Sequence, residues 1–275
     1  MKRIISFILI FSLTLGVILS LASCGGGGDG DNPKASDPVA LPLGNWTDAV
    51  TELGYVDSHT AVRTVEISHI FGGAPTSESR VSVKTVAGLV RDNVGERNVV
   101  TVTKNGVSAT SSYGYRDGYF YYSGSNDAYK SQLTYTEYLA FVSAEEDKVD
   151  LAAMNFTDAS MIYKRDGTRE IRLSGATGDL GLFDGILAEL SALAGVELRI
   201  TDVRAVAIVG RVPGDSSRYP YSLILTPTFA GEGVELPIVS IRLDFSNIGR
   251  TSVEFTDDFD GLEIRENLPS ALPNS

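Results

Sequence analysis

One cysteine, Cys24, and two histidines, His59 and His69, are all that this 275-residue chain offers of the side chains that most readily bind transition metals or act as nucleophile and base. A lone thiol makes no intramolecular disulfide, so no such staple holds the fold. No H-E-x-x-H and no helical histidine pair occurs, which removes the usual zinc arrangements. The G-x-S-x-G elbow and the Walker A loop are also missing. Carboxylates are plentiful, yet nothing in linear order singles out a pair for glycoside hydrolysis. Asp257, Asp258, Asp260 and Gly261 imitate part of a calcium loop, but Thr256 and Asn267 stand where its first and last carboxylates belong. The chain is therefore expected not to be an enzyme and to need neither metal nor cofactor. Basic residues are in the minority, 23 Lys and Arg against 35 Asp and Glu for a net charge of −12. Such a surface repels phosphate backbones, so no nucleic-acid partner is expected.

Apolar runs are short in this chain, and the longest lies at its start. Lys2 and Arg3 precede Ile4 to Leu19, an almost unbroken series of Ile, Leu, Phe and Val that closes on small residues. A basic start, a short apolar centre and a small-residue end make a secretory signal. The alternative is a spanning anchor, for which Ile4 to Leu19 falls short of the roughly 20 residues a membrane helix needs. The closing Leu21-Ala22-Ser23-Cys24 resembles the lipobox of bacterial lipoproteins. That resemblance implies a diacylglyceryl group on the Cys24 thiol and cleavage before it. It also implies an extracytoplasmic protein held to the membrane by its acylated first residue; Gly25 is not the Asp that holds enteric-type lipoproteins at the inner membrane, which leaves the outer membrane open where the source has one. More than one lipid chain, at about 0.8 kcal/mol per buried CH₂, is enough for stable anchoring.

Residues 24–43 are Gly, Asp, Pro, Ser and Ala with little to bury, and they read as a flexible tether. Gly25 to Gly30 spells G-x-G-x-x-G, but no strand precedes it and no helix follows, so a nucleotide site fails on context. Residues 44–275 show no composition break and are expected to form a single domain.

Within that domain a short helix is expected from Asn45 to Gly54, and then strand follows strand. Ala61 to Phe71, Arg80 to Val90, Asn98 to Thr103 and Val107 to Tyr115 are rich in Val, Ile, Thr and Tyr. Asn105-Gly106 and Asp117-Gly118 are two-residue hairpin signals. Thr134 and Glu137 form a capping box for a helix carrying Tyr138, Leu139, Phe141 and Val142. A hairpin is expected around Asp166-Gly167. One long amphipathic helix is expected over Asp179 to Ala194, with Leu180, Phe183, Leu187 and Leu190 on its stripe. Val196 to Val212, Tyr219 to Phe229 and Pro237 to Ile248 then read as long strands. Val239, Ile241, Leu243 and Phe245 alternate with polar residues, as do Tyr219, Tyr221, Leu223 and Leu225. Alternation of this kind marks a sheet covered on one side and wet on the other. The expected class is α+β: a strongly curved, mostly antiparallel sheet, a half-barrel with helices covering its concave face.

The run from Tyr113 to Tyr122, then Tyr129-Lys130 and a capped aromatic helix, resembles one half of certain extracytoplasmic lipoproteins. The later helix, the strand through Ile200-Thr201-Asp202-Val203 and two long strands closing on Asn247-Ile248-Gly249 resemble the other. These are the half-barrel proteins of the LolA and LolB carriers and of the LppX and LprG type. The resemblance implies a lipid or other hydrophobic small molecule held between sheet and helices. The expected lining is Tyr113, Tyr115, Tyr121, Phe183, Leu187, Tyr221, Leu223, Leu225, Ile241, Leu243 and Phe245. A second reading gives the same residues a filled core and the protein a role as an interaction or scaffold module with an envelope protein partner.

Overall fold

The computed structural model describes residues 39–40, 58–88, 94–125, 127–145, 151, 153–211, 218–253, 261–266 and 268, without the side chains of 39–40, 143–145, 211 and 218–220. The expected signal, the expected acylation site at Cys24, the Asn45 helix and residues Asp257, Asp258 and Asp260 of the acidic turn lie outside these residues.

Among the described residues, thirteen strands form one sheet. The first meander is β2 (His59–His69), β3 (Thr76–Ala87), β4 (Gly95–Lys104), β5 (Val107–Arg116), β6 (Tyr119–Ser123) and β7 (Ala128–Gln132). A helix, α1 (Tyr135–Glu145), leads to the second meander: β8 (Phe156–Tyr163), β9 (Arg169–Ala176), β10 (Arg199–Arg211), β11 (Arg218–Ala230) and β12 (Ile238–Ser246). Between β9 and β10 comes α2 (Asp184–Ala194). Pairing of β12 with β2 joins the two meanders. Short strands close the edges: β1 (Val39–Ala40) pairs with β8, and β13 (Glu263–Ile264) runs parallel to β7. The segment expected as tether thus contributes Val39 and Ala40 to the sheet.

Turn chemistry sets the register of the first meander. Asn105 and Gly106 both take positive φ, 49° and 85°, and Asp117 and Gly118 do the same at 51° and 84°. That is the type I′ geometry whose twist matches the flanking strands. At the third hairpin only Gly167 is left-handed, and Asp166 accepts from the Thr168 amide, so a longer turn forms. Thr134 and Glu137 make the expected box: the Thr134 amide donates to Glu137 Oε2 at 2.7 Å, and the Glu137 amide donates to Thr134 Oγ1 at 3.3 Å.

The helix expected over Asp179 to Ala194 begins later. Asp179 Oδ1 accepts from the Gly181 amide, a 3₁₀ turn occupies Gly181–Phe183, and the α-helix starts at Asp184. An Asp side chain bonded two residues ahead favours a turn over a helix. Phe183 at the N-cap makes no side-chain capping bond, while Gly195 closes the far end in the left-handed region. The strand expected to run to Phe71 ends at His69, where a 3₁₀ turn takes Phe71–Gly73.

Cross-strand partners place one residue set on one face of the whole sheet. Leu173, Ala205, Leu225, Ile241, Val65, Arg80 and Val102 are successive partners from β9 to β4. We call this the inner face. Both helices bond to it: Tyr138 of α1 donates to Glu96 of β4, and Arg80 of β3 donates to Glu189 of α2. Six strands from β8 to β2 would span about 24 Å if flat, more than twice the diameter of one helix. Yet their inner residues from Met161 to Val65 are buried in one cluster with Phe183, Ile186 and Leu190. The sheet is curved.

Candidate functional site

Two apolar clusters occupy the inner face. The larger belongs to the second meander and gathers Phe183, Leu223, Leu225 and Ile241, with Leu187 and Leu243 half-buried beside them. Around α1 the other collects Tyr113, Tyr115, Phe120, Tyr129, Tyr138 and Val142. Eight of the eleven residues expected to line a ligand site therefore fall in two separate groups. Phe245 shares the inner face through its pairing with Ala61, and it is half-buried.

Tyr121 and Tyr221 stand apart. The Asp117-Gly118 turn keeps the two-residue register, which pairs Tyr115 with Phe120 and Gly114 with Tyr121. Tyr121 consequently projects from the opposite face, and its ring lies against Gly114. Burial pushes its phenol far above the ordinary value; Arg97 opposes and Glu96 adds to the rise. Tyr221 sits at an irregularity where β10 passes from Ile208–Ser222 to Val209–Pro220 pairing. The irregularity breaks its alternation with Leu223, and its ring covers Gly210. Tyr113 and Tyr115 meet Phe120 and Tyr138 instead, and Tyr115 lies 5.2 Å from Tyr138 between ring centroids.

Between the clusters runs a polar seam that alternation alone did not reveal. Ser82 Oγ donates to Asn98 Oδ1 at 2.6 Å, and Asn98 Nδ2 donates to the Tyr113 hydroxyl at 2.5 Å. Glu96, 2% exposed, accepts from Tyr138 at 2.6 Å and pairs with Lys84 at 3.1 Å. Nearer α2, Glu78 pairs with Arg80 and Lys104, and Arg80 also reaches Glu189 at 2.7 Å. Burial would raise the Glu78 carboxyl, but its bonds to Arg80 and Lys104 outweigh that and hold it below the ordinary value.

The two histidines lie at opposite ends of β2 on the inner face. Burial, then the Lys84 charge, lowers the pKa of His59, and its Nδ1 is buried with no hydrogen-bond partner among the described residues. His69 stacks on Phe71 at 4.6 Å.

The interior of both clusters is filled by side chains. Tyr113, Phe120, Tyr138, Phe183, Leu225 and Ile241 have essentially no exposed surface. Two open hollows lined by described residues lie elsewhere. One, about 830 Å³, is a groove on the outer face of β8 to β10 lined by Asp158, Ser160, Arg172, Ser174, Asp202 and Arg204 among others. The other, about 430 Å³, is bordered by Glu197, Arg199 and Glu232.

No family model matches this chain, and no curated protein matches it. A crystal structure of LprF from Mycobacterium bovis is similar over 77% of this chain and 94% of its own, at 11% identity and a TM-score of 0.41. Likeness at that level fixes neither function nor site.

Proposed function

We propose that this chain is an extracytoplasmic lipoprotein that binds or carries a hydrophobic ligand, an acyl chain or a lipid, in a half-barrel whose helices cover the concave face. One observation carries the reading: the apolar floor of the larger cluster lies under a helix of 11 residues that has no side-chain N-cap. Isolated helices shorter than roughly 12–15 residues are marginal in water, so α2 is held by packing rather than by its own propensity. An acyl chain of about sixteen carbons gains on the order of 12 kcal/mol on leaving water. Re-exposing a Phe, Ile or Leu side chain costs about 1.5–3 kcal/mol each. A chain that displaces Phe183, Ile186 and Leu190 from the floor recovers more than it gives up.

Anchoring through acylated Cys24 is the companion proposal, with the membrane as the first partner. It is tested by metabolic labelling with a palmitate analogue. Label on the natural chain and none on Cys24→Ala supports the anchor, and label on neither removes it.

The full chain, purified in detergent and freed of it in the gas phase, is expected to retain added palmitate or phospholipid in native mass spectrometry. Retention of neither across a range of chain lengths contradicts the carrier. A second reading, the filled interaction module, is favoured by the complete burial of Tyr113, Phe183 and Leu225. On that reading the outer groove beside Arg172 and Arg204 meets an envelope protein, and no lipid is retained.

A further inference from the structure

Eight large apolar side chains are exposed among the described residues, and five of them gather at one end of the sheet: Ile70, Val107, Leu193, Leu236 and Ile238. Topology brings them there. Successive connections of an antiparallel meander alternate between its two ends, so β2–β3, β4–β5 and β11–β12 all turn at the same one. The helix α2 finishes there too, since Gly195 leads on to Arg199, whose partner is Ala230 at the close of β11. Ile238 pairs with Ser68, and carrying that ladder on by two residues sets Leu236 opposite Ile70. Ile70 opens the Phe71–Gly73 turn, where Gly72 and Gly73 have positive φ and open space where a Cβ would stand. Apolar side chains scattered singly mean little, but a group of them at one rim marks a contact surface.

The make-up of the rim identifies what covers it. All five side chains are aliphatic, without the Trp, Tyr and Arg that anchor most protein–protein contacts. Glu197, Glu232 and Glu235 are exposed at the same end, so an anionic partner is repelled. A neutral bilayer asks only for apolar area. The tether gives enough reach: as a random coil, the stretch from Cys24 to Val39 spans about 20 Å. Val39 pairs with Met161, and β8 runs about 17 Å from there to Phe156, at the rim end.

We propose that Ile70, Val107, Leu193, Leu236 and Ile238 dip into the headgroup–acyl boundary of a neutral bilayer and hold this end of the sheet at the lipid surface. This rests on the Cys24 anchor, which supplies the membrane, and goes beyond it by orienting the domain. Since α2 ends at this rim and lies against the Phe71–Gly73 turn, a lipid moving under the helix meets apolar surface from the bilayer onward.

The test places the full chain in phosphatidylcholine vesicles that contain doxyl-labelled phosphatidylcholine as quencher. A fluorophore is attached to an introduced thiol, Ile238→Cys at the rim or Tyr163→Cys at the other end of β8, with the natural chain as the blank. Quenching is expected to be several-fold stronger at 238 than at 163. Adding Ile70→Ser and Leu236→Ser is expected to bring quenching at 238 down toward the level at 163, while flotation with the vesicles is unchanged because the anchor is untouched. Equal quenching at the two ends, or more at 163, overturns the rim contact and leaves the anchor standing. A label at 238 that is shielded from water yet unquenched means that a second copy or another protein covers the rim, and overturns it as well. A chain that does not float with the vesicles overturns both.

Discussion

Arg80 of β3 holds Glu189 of α2 at 2.7 Å, joining residues 109 positions apart across the inner face. The same guanidinium bonds Glu78, so it ties the helix of the second meander to a strand of the first. Glu189 is 37% exposed, and an ion pair with one wet partner is worth no more than about 1 kcal/mol. Glu189→Gln is expected to lower unfolding free energy by less than that in a urea titration. It is also expected to raise amide exchange across 184–194, since one tie of the helix to the floor is gone. Exchange unchanged in that segment contradicts the role of the pair as a latch.

Glu96 is the opposite case. Its carboxylate is buried, where it accepts from Tyr138 and pairs with Lys84. Removing one member of a buried pair costs about 3–5 kcal/mol when the other is left uncompensated, and Lys84 is partly wet, which softens the loss. Glu96→Ala is expected to cost about 2–4 kcal/mol by chemical denaturation. Tyr138→Phe, which removes the hydroxyl's hydrogen bond to a charged group, is expected to cost about 1.5–3 kcal/mol. Equal effects of the two changes would mean that Lys84 contributes nothing.

Gly114 is a third sensitive point. A Cβ there would run into the Glu96 carbonyl oxygen and the Tyr121 ring. Gly114→Ala is expected to destabilise by about 1–3 kcal/mol, the usual cost of overpacking, read as a lowered midpoint in thermal unfolding. A neutral result would show that Tyr121 does not hold the outer face at this point.

Both histidines titrate below their ordinary value of 6.5 when folded, through burial first and then Lys84 for His59 and Lys104 for His69; Glu189 and Glu78 oppose the shift at His69. The unfolded chain therefore takes up these protons first. Stability is full above the unfolded value and falls as pH drops through it, until the folded groups protonate in turn. Glu78 and Glu170 are held below their ordinary 4.5 by basic partners that outweigh burial, so their contribution has the same sign in a lower window. The double variant His59→Gln, His69→Gln is expected to flatten the stability profile between about pH 7 and pH 5 and to keep the fall below about pH 4.5. A slope that survives in the upper window would place the titration elsewhere.

Local chemistry made much of this fold legible. Asn105-Gly106, Asp117-Gly118 and the Thr134–Glu137 box each fix their own geometry within a few residues. Alternation from Val239 to Phe245 likewise gave the correct inward set. The joining of β12 to β2 was not legible, because it depends on pairing between segments 170 to 186 residues apart. The seam was missed for a related reason: Glu78, Arg80, Lys84, Glu96 and Asn98 look like the wet side of ordinary strands. They are inward because the sheet, as one surface, turns the partners of Ile67, Val65 and Tyr113 the same way. Tyr221 was misplaced by an irregularity whose only sequence sign is Pro220 beside it. The helix start at Asp184 turned on one side-chain bond from Asp179.

Amide exchange of α2 in the presence of lipid tests the account most directly. If acyl chains take the place of Phe183, Ile186 and Leu190 on the floor, then saturating palmitate is expected to speed exchange across 184–194 while β10 to β12 stay protected. Exchange across that helix that is unchanged or slowed, with no lipid retained, would mean a permanently filled core and would contradict the carrier.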